Sequence, residues 1–309
     1  MRVNRASLDL AREVGSPELE AQALGGLGEA EFSRGRMISA FNHYDRCIEL
    51  GRKHGLARVV AANLSMRGQT LAYMNDLETA MVDCRAGVEL AAKIRQPRAE
   101  MVAGIVATYV LELTDPIEGE RWAKASLGIA RRLGARLFES INLEYLGRFA
   151  AQVGRYVEAE QLVQEAIDIL REVESGMRFV ASRSFGALAL VTQDAKRRTL
   201  VLEEGEQLLR SGVRAVNHLW FNRDAIEVCL RTARWDGVEK YAKMLEDYTS
   251  SEPLPWSDFF IARGRALAAF GEGKRDNDLL RELRRLRDEA RRVGLNIALR
   301  DLEGALAAL

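Results

Sequence analysis

Between Leu143 and Leu170, in the run LEYLGRFAAQVGRYVEAEQLVQEAIDIL, apolar residues recur at helical spacing on both sides of a single break. Leu146-Gly147 is followed seven residues later by Gly154, then five later by Ala159 and seven later by Ala166. This pattern predicts two amphipathic helices that approach closely at the small residues, with Gly154 supplying the turn between them. The same arrangement recurs along the whole chain. Its turn position falls at Gly35, Asn75, Asp115, Gly154, Asp194, Ala233 and Gly271, in steps of 40, 40, 39, 40, 39 and 38. Seven residues before each turn stand Gly28, Gly68, Thr108, Gly147, Ala187, Ile226 and Gly264. Five residues after it come Ala40, Ala80, Glu120, Ala159, Thr199 and Val238, so this second small position fades from the middle onward. Three coupled positions that keep register across seven units define an internal repeat, each unit a helical hairpin packed on its neighbours.

The expected fold is therefore an all-α, right-handed α-solenoid forming one domain over 1–309. Its repeats are placed at 16–55, 56–95, 96–135, 136–175, 176–214, 215–252 and 253–294. Ser16-Pro17-Glu18, Gln96-Pro97 and Asp115-Pro116 read as helix starts, and all five prolines lie at predicted boundaries. The fifth repeat is degenerate, with QDAKRRT at its turn. Residues 6–15, ASLDLAREVG, match 125–134, ASLGIARRLG, at six of ten positions, and the later copy is a second helix. The chain thus opens on an orphan second helix, which predicts a longer parent or ancestral protein. At the other end, Leu295, Leu299, Leu302, Leu306 and Leu309 make one apolar stripe. That stripe predicts a helix over 295–309 capping the last repeat, with a homodimer seam as the alternative.

Composition narrows the possible partners. With 45 basic and 45 acidic residues there is no net field to draw nucleic acid or an acidic membrane surface. Three scattered cysteines, Cys47, Cys84 and Cys229, give neither a disulfide framework nor a metal-binding CxxC, which suits a reducing cytoplasm. Charges at Arg2, Arg5, Asp9 and Arg12 break any signal-peptide core, and the longest apolar run, Met101 to Leu111, is too short to span a bilayer.

The L-x2-L-G…G…A pattern resembles the tetratricopeptide repeat (TPR) over nearly the whole chain, although these units are 38–40 residues long instead of about 34. GRMISAFNHYDRCIELGRKHG (35–55) and RVVAANLSMRGQTLAYMNDLETAMVDCRAGVELAA (58–92) further resemble the C-terminal repeats of large bacterial regulators. In those proteins a class III adenylate or guanylate cyclase domain and a P-loop ATPase module precede the repeats. The resemblance implies a non-catalytic interaction or sensory module, serving as the regulatory tail of such a signalling protein and contacting its upstream domains. The alternative is a free-standing TPR receptor for a peptide or small ligand.

Nothing in the sequence carries catalysis, a metal or a cofactor. It has no phosphate loop, GxGxxG turn, HExxH or GxSxG elbow, and its three histidines are dispersed. The expected partner is a protein or peptide segment in the concave groove, which in the TPR pattern is lined by the first helix of each pair. The inward positions expected there are Tyr73, Val102, Ile105, Tyr109 and Leu113, followed by Arg148 and Gln152, then Trp220, Arg223, Arg231 and Arg265. Stacking of adjacent repeats would make the first five an apolar patch with aromatic anchors. The arginines would receive carboxylates or phosphates, and Trp220 would offer a stacking surface.

Overall fold

A computed structural model describes the backbone of residues 2–308 and the side chains of residues 4–308. Helix α1 (Arg2–Glu13) precedes seven antiparallel pairs. These are α2 (Pro17–Ser33) with α3 (Met37–Lys53), α4 (Ala57–Tyr73) with α5 (Leu77–Lys93), and α6 (Pro97–Thr114) with α7 (Pro116–Arg132). Next come α8 (Arg136–Gln152) with α9 (Tyr156–Glu172) and α10 (Gly176–Val191) with α11 (Ala195–Arg210). The last pairs are α12 (Asn217–Arg231) with α13 (Trp235–Thr249) and α14 (Pro255–Gly271) with α15 (Asn277–Val293). A 3₁₀ turn (Asn296–Ala298) then leads into α16 (Leu299–Ala307). The described residues form an α-solenoid of seven TPR-like hairpins, with an unpaired first helix and a terminal capping helix. None of these helices is long and apolar enough to cross a membrane.

The turns obey local chemistry. Gly35, Asn75, Gly154 and Ala233 take left-handed backbone angles, with φ of 72°, 59°, 82° and 52°, and so end the first helix of their pairs. At Asp115 and Asp194 the break is made differently. Both keep negative φ and act as N-caps, Asp115 accepting from the Ile117 and Glu118 amides at 3.1 Å and Asp194 from Arg197 at 2.6 Å. Gly271 is not the turn residue: it is still helical, the last residue of α14, and the left-handed residue is Gly273. A Cβ at Gly271 would lie 2.4 Å from the Trp235 ring, so it is a close-approach glycine instead.

The recurring small positions are the places where paired helices cross. At Gly147 a Cβ would fall 2.5 Å from Val163 Cγ2 and 2.8 Å from the Ala159 carbonyl oxygen, with Ala159 itself fully buried. Where the pattern lapses, size is exchanged between neighbours. Ile226 is buried, and its Cγ2 occupies the space that a side chain at Gly264 would need. The fading second position has a counterpart too, since Thr199 of α11 is exposed.

The superhelix closes on itself. Residues near the start of the array meet residues close to 200 positions later, along a seam between the α2–α3 pair and the α12–α13 pair. The Arg214 Nε donates to Ser33 Oγ at 2.8 Å, and its guanidinium pairs with Glu29 and lies 4.4 Å from the Phe179 ring centroid. Tyr248 donates to the Arg34 carbonyl at 2.6 Å. Helix α3 has no side-chain cap of its own, and Glu252 supplies one from across the seam. Its carboxylate accepts from the Ile38 amide at 2.9 Å and the Ser39 amide at 3.3 Å. Glu252→Ala is expected to lower stability by about 1–2 kcal/mol, the usual loss on removing an N-cap, and to expose 249–254 to proteolysis. An unchanged urea midpoint and cleavage pattern would show that the seam adds nothing.

The C-terminal stripe also turns inward. Leu295 and Leu302 are fully buried, while Leu299 and Leu306 are half-buried against the same core; Leu309 lies outside the described residues. Asn296 Nδ2 donates at 2.9 Å to the carbonyl of Thr114, the last residue of α6, so the segment reaches across the array beyond the last repeat. Burial in its own chain uses the stripe that a dimer seam would need.

Candidate functional site

Tyr73 and Tyr109 do come together, but inside the protein. Their rings stack at 5.5 Å, Trp256 of α14 packs edge-on against Tyr73 at 5.1 Å, and the Trp220 indole N–H donates to the Tyr73 hydroxyl. Tyr73 is 0% exposed and Tyr109 4%. The open aromatic groove expected from the sequence is therefore absent, because the later repeats fill the concavity of the earlier ones. Leu113 is buried with these rings. Trp220 joins the two halves of the core, with Phe32 at 6.5 Å and the Arg183 guanidinium over its ring at 5.1 Å, and it presents no free stacking face. Val102 and Ile105 are half-buried against a smaller cluster of Met101, Ile129 and Ala130, and Ile105 also packs on the main core that holds the two tyrosines. Arg265 leaves the expected row as well: it forks between Glu239 and Glu246 of α13, at 2.9–3.1 Å.

Beneath the aromatic plug the first helices carry a buried ion network. Arg148 of α8 binds Asp224 of α12 through two hydrogen bonds, of 3.1 and 2.5 Å, Glu144 at 3.0 Å and Glu112 at 3.4 Å. Arg223 bridges Glu112 and Asp224 at 3.2 and 3.1 Å. Arg183 meets Glu144 at 2.9 Å, and Ser184 donates to the same carboxylate at 2.7 Å. Burial works against the charges of Arg148, Arg183, Arg223 and Asp224, and mutual pairing overcomes it. In Arg148 the loss of solvent favours deprotonation, yet Asp224, Glu112 and Glu144 outweigh it and push the pKa well above the ordinary arginine value. In Asp224 desolvation favours the protonated acid, but Arg148, Arg223 and Arg183 hold the pKa below its ordinary value.

This network forms the floor of a cleft of about 90 Å³. Glu112, Arg148, Gln152, Arg223, Glu227 and Arg231 line it from α6, α8 and α12, and Phe260 and Arg263 from α14. Ile297, Ala298 and Asp301 close it from the C-terminal segment. Of the residues expected at a partner site, Arg148, Gln152, Arg223 and Arg231 thus share one cavity. Arg148 and Arg223 lie buried at its base, Gln152 is half-buried, and Arg231 is exposed. Arg231 donates to the Leu190 carbonyl at 3.2 Å and has no carboxylate partner among the described residues. Arg263, missed in the sequence, pairs with Glu227 and, at 2.6 Å, with Asp301. Glu112 was legible in principle, since a carboxylate in a helix that is apolar nearly all round has to be buried and paired. Such a mixture of fixed cations, amide and aromatic ring is suited to binding a small anionic or polar group.

No family model matches the sequence, and neither does any curated protein. Solved structures do match. NprR in complex with its cognate peptide NprX superposes with a TM-score of 0.66 at 14% identity, over 91% of this chain and 80% of that one. The Rap conjugation gene regulator of plasmid pLS20, in complex with the Phr* peptide, gives 0.65 at 15% identity, over 89% and 75%. A Rap protein complexed with Competence and Sporulation Factor gives 0.62 at 13% identity, over 97% and 78%. At such identities the likeness is one of fold, and it identifies the chain as a TPR-like helical array of the shape seen in the Rap and NprR structures.

Proposed function

We propose that this protein is a non-catalytic peptide receptor, which takes one side chain or terminus of a short linear segment into the cleft between α8, α12, α14 and the C-terminal turn. The observation that carries this reading is the cleft itself. Here the closed array leaves a cavity bordered by Arg231, which has no carboxylate partner among the described residues, and by arginines already fixed in place. A cavity of about 90 Å³ admits part of a peptide, so the rest of the segment lies along the rim. Two solved arrays of similar shape hold peptides by their own descriptions and a third holds a named factor, which favours the receptor over the tail of a cyclase regulator. The cyclase context rests on sequence resemblance alone.

Panning a library of random linear hexapeptides against the full chain tests the proposal. Enriched peptides should bind the wild type and lose about tenfold in affinity with Arg231→Glu, the cost of removing one charge-assisted contact. Arg231 is exposed, so the variant keeps the fold. Failure to enrich any sequence, or enriched peptides that bind the variant equally well, would overturn the assignment.

A further inference from the structure

The cleft has one removable wall. Helices α6, α8, α12 and α14 belong to the packed array, whereas Ile297, Ala298 and Asp301 belong to the short terminal segment. Helix α16 has 9 residues, fewer than an isolated helix needs to hold its structure in water, so its order comes from docking. The segment is docked by the buried Leu295 and Leu302, by the Asn296–Thr114 hydrogen bond, and by an exposed Arg291–Glu303 pair at 2.6 Å. Its remaining polar tie into the cleft is Asp301, which accepts from Arg263 Nη2 at 2.6 Å.

That tie is asymmetric. Arg263 is almost fully buried, whereas the Asp301 side chain is 55% exposed, so its carboxylate meets the arginine on one side and water on the other. The Nε–H groups of Arg263 and Arg223 have no protein acceptor although both are buried. An unsatisfied buried donor is costly, and these two belong to arginines that line one cleft. The charge balance agrees. Counting Asp224, which pairs with Arg148 and Arg223 from behind the lining, four arginines stand against four carboxylates; without Asp301 it is four against three. We infer that Asp301 is an internal stand-in for a carboxylate of the ligand, and that α16 is a gate. With the cleft unliganded, the helix closes it by placing its own carboxylate on Arg263. An incoming peptide carboxylate takes that position, gains Arg231 as a second cation, and releases the helix. The inference rests on the receptor reading for the identity of the ligand, and on the Arg263–Asp301 geometry for the gate. Ligand and closed helix then compete for one seat, so observed affinity is reduced by the fraction of molecules in which the gate is shut.

Three capped tripeptides separate the sources of the carboxylate. They are N-acetyl-Ala-Ala-Ala with a free C-terminus, N-acetyl-Ala-Asp-Ala-amide, and the neutral N-acetyl-Ala-Ala-Ala-amide. Hydrogen exchange of the amides of 299–307 is followed on the full chain with each peptide. One or both acidic peptides should speed this exchange about threefold or more, and the neutral peptide should not. The responding peptide tells whether a terminus or a side chain supplies the group. Asp301→Asn keeps the shape of an exposed side chain and removes its charge. It should speed the same exchange without peptide and tighten binding of the responding peptide about tenfold. The gate is overturned if Asp301→Asn leaves both exchange and affinity within about twofold of wild type, or if the neutral peptide acts as strongly as the acidic ones. A library peptide that binds the wild type and is indifferent to Asp301→Asn would refute the gate while leaving the receptor intact.

Discussion

Asp224→Ala is expected to destabilise the protein by about 3–5 kcal/mol, the usual consequence of breaking a buried pair by removing one partner. Asp224 is 1% exposed and accepts from both Arg148 and Arg223, so its loss leaves two desolvated guanidinium groups to share Glu112 and Glu144. Chemical denaturation of the variant and wild type at pH 7 measures the difference. A loss below about 1 kcal/mol would mean that the network relaxes or hydrates, and that it is not a rigid floor for the cleft. The pH dependence supplies a second check with a definite sign. Burial opposes ionisation of Asp224, but Arg148, Arg223 and Arg183 overcome it, so the folded pKa lies below the ordinary 3.8. A group whose pKa is depressed on folding contributes stability that is present above its unfolded pKa and lost as pH falls through the folded one. The contribution is therefore complete at neutral pH and disappears below pH 3.8. In Asp224→Ala the fall in stability over that acidic range should be shallower than in the wild type.

Gly147→Leu is the other large effect, expected at about 3 kcal/mol or more. The side chain would have to enter where a Cβ alone is 2.8 Å from a backbone oxygen of Ala159, and backbone cannot rotate out of the way as a flexible side chain can. The α8–α9 pair would open, and with it the stacking of the neighbouring hairpins. Ile226→Leu occupies the equivalent position in α12, where a large side chain is already housed against Gly264, and should cost less than about 1.5 kcal/mol. Similar losses in the two variants, measured by urea denaturation, would show that the repeat register is misassigned.

The contrast between these two positions shows which parts of the fold were legible. Gly147 and Gly154 act locally. One permits a close crossing and the other a left-handed turn, and both requirements can be read from spacing along the chain. Asp115 and Asp194 occupy the turn register yet break the helix by capping, so spacing located the break without determining its chemistry. The site was legible only in part. Arg148, Gln152, Arg223 and Arg231 were placed on the inner helices by register, and they do line one cleft. Arg265 occupies the same kind of position but turns to Glu239 and Glu246, because the outer helix offers two carboxylates within reach. Arg263, two residues before it, turns inward to Glu227 and Asp301.

The sequence by itself determined the helices, their pairing and their order, because these depend on periodicity, caps and small residues within some forty positions of one another. What it could not determine is the curvature of the whole array. Each repeat adds a small rotation, and those rotations sum until Glu252 reaches α3, Arg214 reaches Ser33 and Asn296 reaches Thr114. Such contacts join residues 181 to 214 positions apart, and no local pattern records them. Only the tertiary structure decided that Tyr73 and Tyr109 stack under Trp256 instead of facing a partner, and that the C-terminal stripe seals its own chain. The physical reason is the same for both. An apolar inner face gains as much free energy from burial against a distant part of its own solenoid as from a bound segment, and the own chain is always present.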